Sequence, residues 1–158
     1  GVYFVPAFSG LGAPWWNSEA KAILCGMTRT TGRNEIVRAA LDCIAWQITD
    51  IVKAMASGSG TAVSELRVDG GPTRNAYLMQ FQSDVLNIPV RIPEAEELSG
   101  IGAAYAAGIA VGFLDESVFD RAGRREYRPT MAGELRQSRY QAWLDAVAMI
   151  RGPKPAQE

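Results

Sequence analysis

The chain has 158 residues, 47% of them apolar and 21% charged, which is the composition of a globular protein with one hydrophobic core rather than of a disordered chain. The formal net charge of −1 excludes the broad basic surface that attracts nucleic acids or anionic membranes. The sequence contains no histidine, so any acid–base chemistry in it depends on carboxylates, lysine or tyrosine.

The cysteines and the absence of a targeting pattern predict a soluble, cytoplasmic protein. Cys25 and Cys43 lie in apolar settings without CxxC spacing, which favours buried, reduced thiols over a zinc or disulfide framework. The longest apolar stretch, residues 101–114, is too short to span a bilayer. The chain opens directly on a strand-like run, so we expect it to be a piece of a longer protein.

The first part of the chain predicts two strands and a long helix. Residues 2–8 and 22–27 are apolar runs that could pair antiparallel in a mixed sheet. Asn34 is predicted to cap a helix that ends at Gly58 and Gly60. Its buried face is predicted from apolar residues at three- and four-residue steps, namely Ile36, Val37, Ala40, Leu41, Ile44, Ile48, Val52 and Met55.

The second part alternates strands and helices. Residues 66–69 and 89–93 are predicted strands, joined by a helix that buries Leu78, Phe81, Val85 and Leu86 and ends at Asn87. Such an order favours a parallel strand pair with a helical crossover. A small-residue helix over 99–113 and an irregular basic segment over 121–128 follow. An amphipathic helix then presents Leu135, Tyr140, Trp143, Leu144, Val147 and Ile150, and residues 151–158 are an expected frayed tail.

The most informative segment is the double-glycine turn, which we define as residues 69–75. Gly70 and Gly71 have no Cβ, so a ligand can lie directly on their backbone. A helix that opens here offers unpaired N–H groups to a phosphate, and Asn75 can hydrogen-bond a base, a sugar or a phosphate. The pattern predicts a nucleotide site, with a plain strand-to-helix turn as the alternative.

Two apolar features each allow two interpretations. Trp15 and Trp16 stand in a Gly/Pro-rich loop, where they either close one end of the core or stack on a sugar or act at a hinge. The internal glycines of the 99–113 helix each cost about 1 kcal/mol against alanine. Close packing on the sheet is the favoured compensation, with direct ligand contact as the alternative.

Two charged clusters are interpreted as surface features. Glu94, Glu96 and Glu97 precede a helix, and carboxylates stabilise a helix N-terminus. A magnesium site is the less favoured interpretation. The basic segment carries Arg121, Arg124, Arg125 and Arg128, which favour a charged surface over a phosphate site.

Three blocks of the sequence together resemble the C-terminal, nucleotide-binding domain of the FGGY carbohydrate kinases. The first is the run VPAFSGLGAPWW at residues 5–16, and the second extends from AILCGM at 22–27 to EIVRAALD at 35–42. The third joins RVDGGPTRN at 67–75 to LMQFQSD at 78–84 and GAAY at 102–105. The local sequences WWN at 15–17, PTR at 72–74 and LSGI at 98–101 depart from the usual pattern and leave the substrate open, with another polyol or a pentulose as candidates.

The resemblance implies an α/β, actin-like or ribonuclease-H-like half-domain. Residues 1–150 would form a partial nucleotide-binding domain with a mixed sheet flanked by helices and without its first strands. It implies ATP and Mg²⁺ as cofactors and nucleotide contacts at Gly71 and Asn75, beside Gly70, which the turn chemistry selects.

The resemblance also implies a division of labour between this chain and an N-terminal domain. The catalytic base and most contacts to a polyol or sugar would lie upstream, so no catalytic and no metal-binding residue is expected here, and the piece alone is expected to be inactive. A non-catalytic actin-like nucleotide-binding or assembly module is the alternative, a chaperone-type ATPase is a weaker one, and a homo-oligomer is possible.

Overall fold

The order of helices and strands is that of an α/β chain. The computed structural model describes residues 1–93, 98–120 and 124–152. The strands are β1 (Tyr3–Val5), β2 (Ile23–Cys25), β3 (Leu66–Arg67), β4 (Val90–Pro93) and β5 (Arg124–Tyr127). The α-helices are α1 (Arg33–Ser59), α2 (Ala76–Leu86), α3 (Leu98–Ala110) and α4 (Gly133–Arg151), and short 3₁₀ helices span Gly71–Arg74 and Glu116–Asp120.

The strands form two small sheets rather than one. β1 and β2 pair antiparallel, with Tyr3 opposite Cys25, as predicted. β3 and β4 pair parallel on either side of α2, which confirms the predicted parallel pair. The mixed character comes from β5, which pairs antiparallel with β4, so the prediction of an irregular segment over 121–128 was wrong for residues 124–127.

The buried face of α1 is the opposite of the predicted one. Among the predicted core residues, Val37 is 50% and Met55 is 62% exposed. The residues that α1 buries are Ala39, Cys43, Ala45, Trp46, Thr49 and Asp50. The helix carries apolar side chains on both faces, and periodicity alone selected the face with the larger aliphatic residues. The helix also begins one residue after Gly32 rather than after Asn34, because the Glu35 carboxylate accepts the Gly32 N–H at 2.8 Å.

Aromatic side chains of α1, α2 and α4 meet in the centre of the core. The Trp46 and Phe81 rings contact edge to face with centroids 5.2 Å apart, and Trp143 stacks on Trp46 at 6.4 Å. Trp46 and Trp143 are 2% and 1% exposed. The core face predicted for α4 is confirmed at Trp143 and Val147, whereas Leu135 is exposed.

A buried carboxylate joins the tryptophan loop to two helices. Asp50 on α1 accepts hydrogen bonds from the Trp143 indole N–H at 2.8 Å, the Tyr140 hydroxyl at 2.8 Å and the Trp15 indole N–H at 3.3 Å. Burial raises the pKa of Asp50, while these donors and the Lys53 ammonium act in the opposite direction. Trp15 therefore closes one end of the core as expected, but its neighbour Trp16 is 75% exposed.

Helix α3 packs less closely than its small residues predict. A Cβ added at Gly108 would come within 2.6 Å of the Leu114 side chain, but one added at Gly100 or Gly102 would meet nothing within 4 Å. Its residues Ala103, Ala104, Ala106 and Ala107 are exposed. The close contact at Gly108 is therefore with Leu114, just beyond the helix itself, and not with the sheet as predicted.

Helix α2 matches its prediction and gives a local test of backbone strain. It ends at Asn87, whose φ of 58° lies in the left-handed region. We expect Asn87→Ala to lower the free energy of unfolding by about 1 kcal/mol, since alanine tolerates this conformation poorly. Asn87→Gly is the matched control and should leave the urea midpoint within the error of the wild-type value; an equal loss in both variants would contradict this account.

Candidate functional site

The double-glycine turn lies on the surface, directly after β3. Gly70, Gly71 and Pro72 are exposed, while Thr73 is buried at 8% exposure beneath them. Gly70 has φ 93° and ψ 176°, a conformation that belongs essentially to glycine. A Cβ added at Gly71 would meet nothing within 4 Å. The turn therefore presents bare backbone to the space outside it.

The N–H groups of Gly70, Thr73 and Asn75 donate within the turn, which leaves fewer donors for a phosphate than the sequence predicts. The Asp69 carboxylate accepts the Gly70 N–H at 2.6 Å, and the Gly70 carbonyl accepts both the N–H and the hydroxyl of Thr73. The α-helix does not open at the glycines, because the 3₁₀ helix Gly71–Arg74 comes first. A carboxylate on this turn disfavours phosphate, so the geometry suits the uncharged end of a nucleotide better.

Asn75 joins the turn to α2 as the N-cap of that helix. Its side-chain Oδ1 accepts the Leu78 N–H at 3.1 Å, and its carbonyl accepts the Met79 N–H. With Oδ1 engaged in the cap, the amide Nδ2 is the part of the side chain suited to donate to a ligand. The structure brings Gly70, Gly71 and Asn75 together on one turn of the chain.

A polar contact between α1 and the first turn of α2 lies next to the double-glycine turn. The Tyr77 hydroxyl donates to Asp42 Oδ1 at 2.5 Å, and Arg38 Nε lies 3.6 Å from Asp42 Oδ2. The Arg38 guanidinium also lies 5.3 Å from the centroid of the Tyr77 ring. We call these three residues the α1–α2 clamp.

The clamp separates two depressions in the surface. A cleft of about 620 Å³ is lined by Arg38 and Asp42 on one side and by Tyr3 and Arg139 on the other. A shallower groove of about 450 Å³ is lined by Arg38 and Tyr77 together with Val37 and Leu41. Neither is lined by Gly70 or Gly71, so the double-glycine turn is an open surface and not the wall of either cavity.

The clamp groups have shifted ionisation. Burial is the main cause that raises the pKa of Asp42, against the opposing effects of the Tyr77 hydroxyl and Arg38. Burial, followed by the hydrogen bond to Asp42, raises the pKa of Tyr77 to about 12. Tyr77 thus stays a hydrogen-bond donor throughout the physiological pH range.

The other charged candidates do not form a site in the described part of the chain. Glu94, Glu96, Glu97 and Arg121 lie outside the described residues. The Glu126 carboxylate bridges Arg91 at 3.0 Å and Arg128 at 2.6 Å, as expected of a charged surface. Within residues 1–93, 98–120 and 124–152, no three acidic or cysteine residues group as metal ligands, and no helix is both long and apolar enough to cross a membrane.

Sequence reasoning missed the clamp and the Asp50 cluster. Tyr77 and Asp42 are 35 residues apart, as are Trp15 and Asp50, and neither pair follows a local spacing rule. The only available signal was that Asp42 ends the second of the three sequence blocks.

Comparison with known proteins connects these features. A sequence profile described as "FGGY family of carbohydrate kinases, C-terminal domain" matches residues 1–111. A glycerol kinase from Brevibacillus brevis is 45% identical over 157 residues, which is 98% of this chain and 32% of that protein. A glycerol kinase from Aliivibrio fischeri is 49% identical over 150 residues, or 93% of this chain and 30% of that protein.

The fold matches as well as the sequence. The structure of Plasmodium falciparum glycerol kinase with ADP superimposes with a TM-score of 0.86 at 39% identity, over 94% of this chain and 30% of that one. The predicted actin-like, ribonuclease-H-like class is thereby confirmed. The chain spans about a third of the length of the curated relatives it matches.

Proposed function

Because the chain belongs to the FGGY family of carbohydrate kinases, we propose that it is the ATP-binding portion of an enzyme that phosphorylates a polyol or sugar hydroxyl. The observation that carries this proposal is the coincidence of two independent lines of support. The family profile covers residues 1–111, and the exposed glycine backbone lies within that range at the point where the sequence chemistry predicts a nucleotide. The similar Plasmodium enzyme is described with ADP.

We propose that the adenosine end of ATP lies against Gly70 and Gly71. The absence of side chains there lets a flat base or ribose approach the peptide planes within van der Waals distance. The Asn75 amide, held by its cap to Leu78 N–H, donates one hydrogen bond to the nucleotide. The phosphates would point away from the Asp69 carboxylate, toward the part of the enzyme that holds the acceptor.

The chemical step depends on groups outside the described residues. Phosphoryl transfer needs positioning and charge neutralisation more than covalent chemistry, and Mg²⁺ on the phosphates supplies part of that neutralisation. The described residues contain no carboxylate cluster that fits a metal ion, so the metal contacts are proposed to come from elsewhere in the enzyme. The proposed contribution of this chain is to bind and orient the nucleotide.

The acceptor is proposed from the relatives. Glycerol kinases at 45–49% identity make glycerol the first candidate, with other polyols and ketoses behind it. Acceptor contacts and the base that takes the hydroxyl proton are assigned to sequence beyond this chain.

Release of ADP by the full-length protein tests the proposal. We expect ATP-dependent turnover to be stimulated by at least one compound in a panel of glycerol, other polyols and ketoses, and the phosphorylated product to appear with equal stoichiometry. ATP hydrolysis that no acceptor stimulates would favour a chaperone-type ATPase. Nucleotide binding without any turnover would favour an assembly module.

A further inference from the structure

The first turn of α2 has a contact with α1 at the protein surface, made by the partly exposed Tyr77. Farther along, α2 is anchored by the Trp46–Phe81 contact and by the Gln82 amide, which donates to the Ala45 carbonyl at 3.3 Å. Both of these contacts lie in the buried part of the interface. At the N-terminal end of α2, which carries the Asn75 cap, Leu78 and Met79 are buried in the core, and Tyr77 adds a further attachment at the surface.

The contact through Tyr77 restrains the side chain in two directions. Its hydroxyl donates to the Asp42 carboxylate, and its ring contacts both the Arg38 guanidinium, 5.3 Å from the centroid, and the parallel Phe81 ring, whose centroid is 5.9 Å away. A hydrogen bond to an ionised carboxylate is stronger than one between neutral groups. Tyr77 is the second residue of α2, so restraining it restrains the helical turn that Asn75 caps.

We propose that Tyr77, held by Asp42 and Arg38, is a positioning residue that orients Asn75 and the double-glycine turn for the nucleotide. The inference rests on the proposed function, and it adds a residue that neither the turn chemistry nor the family resemblance assigns. Tyr77 acts through Asn75: the clamp sets the direction of the α2 N-terminus, and the Asn75 amide and the Gly71 backbone follow it.

A purely structural role for the clamp makes a different prediction. Tyr77 is 38% exposed and the Arg38 side chain is 52% exposed, so the contact is partly solvated and adds little to overall stability. A structural role would lower the melting temperature and leave the affinity of the folded protein for ATP unchanged. A positioning role would weaken ATP binding and leave the melting temperature nearly unchanged.

The test uses Tyr77→Phe and Asp42→Ala in the full-length protein, with ATP and ADP as the probes. We expect the ATP dissociation constant to rise about fivefold in each variant, as for the loss of one well-placed hydrogen bond. The double variant should be no worse than either single one, because both remove the same contact. In turnover assays KM for ATP should rise with kcat nearly unchanged.

Tyr3→Phe is the matched control, since the Tyr3 hydroxyl donates to the Arg139 carbonyl at 3.2 Å, in the cleft away from the turn. It should leave ATP affinity at the wild-type value. Wild-type ATP affinity in Tyr77→Phe, or an equal loss of ATP affinity in Tyr3→Phe, would overturn the positioning role. The proposed function would still stand to be tested separately, by placing a valine side chain at Gly71. A wild-type protein that binds no ATP would overturn both.

Discussion

Replacing Gly71 by valine is expected to weaken ATP binding at least tenfold without unfolding the protein. A tenfold change corresponds to about 1.4 kcal/mol of binding free energy. A Cβ at Gly71 meets no atom of the protein within 4 Å, so the valine side chain projects into open space. In the proposed function this is the space that the nucleotide occupies. Gly71 also lacks a positive φ, so valine avoids the strain of the left-handed region, and the thermal melt reports any strain from its place before Pro72.

Gly12→Val is a suitable control, because Gly12 likewise has open space at its Cβ position and no positive φ. Equilibrium dialysis or calorimetry with ATP, beside a thermal melt, separates binding from folding. Gly70→Ala offers a contrast: its φ of 93° makes a side chain costly by about 1–3 kcal/mol, so it should lower stability as well. Unchanged ATP affinity in a folded Gly71→Val protein would show that the turn is not the nucleotide site.

Of the substitutions proposed here, Asp50→Ala is expected to lower the free energy of unfolding most. The change leaves the indole N–H groups of Trp143 and Trp15 and the Tyr140 hydroxyl without their acceptor. Each buried donor left without its acceptor costs about 1–3 kcal/mol, so the loss should amount to several kcal/mol. Urea denaturation of the full-length protein measures it, and Asp145→Ala is the control, because Asp145 on α4 pairs only with the exposed Gln141 amide among the contacts described. A loss no greater than in that control would contradict the role of Asp50.

The same carboxylate predicts a pH dependence of stability. Burial raises the folded-state pKa of Asp50, so its protonated form favours the folded protein. This contribution is fully present below the unfolded pKa of about 3.9 and is lost as the pH rises through the raised folded value. The stability difference between wild type and Asp50→Asn should therefore shift in favour of the asparagine variant as the pH increases across that window. A difference independent of pH would show that the carboxylate has the same pKa in both states.

Local chemistry predicted the parts of the fold that depend on neighbours in sequence. The Asn87 cap and the α2 core residues Leu78, Phe81 and Val85 were predictable because each depends on a few adjacent residues. The parallel β3–β4 pair was predictable from the strand–helix–strand order. The position of Gly70 at a backbone conformation reserved for glycine also follows from the pattern of two glycines after a strand.

Long-range packing decided the rest. Helix α1 offers aliphatic residues on one face and Ala39, Cys43 and Trp46 on another. Contact with β1, α2 and α4 determined which face is buried. The hydrogen bond from the Gly70 N–H to the Asp69 carboxylate was not part of the predicted phosphate site, because a side-chain rotamer is not specified by the glycine pattern. The α1–α2 clamp depends on residues far apart in sequence, and periodicity carries no information about such pairs.

The central claim is that a nucleotide lies on the bare backbone of the double-glycine turn, and a crystal structure of the full-length protein with ADP tests it most directly. We predict the adenosine in van der Waals contact with Gly70 and Gly71, with the Asn75 amide nitrogen within hydrogen-bonding distance of the ligand. An ADP molecule bound elsewhere, with solvent alone over residues 70–75, would contradict the claim.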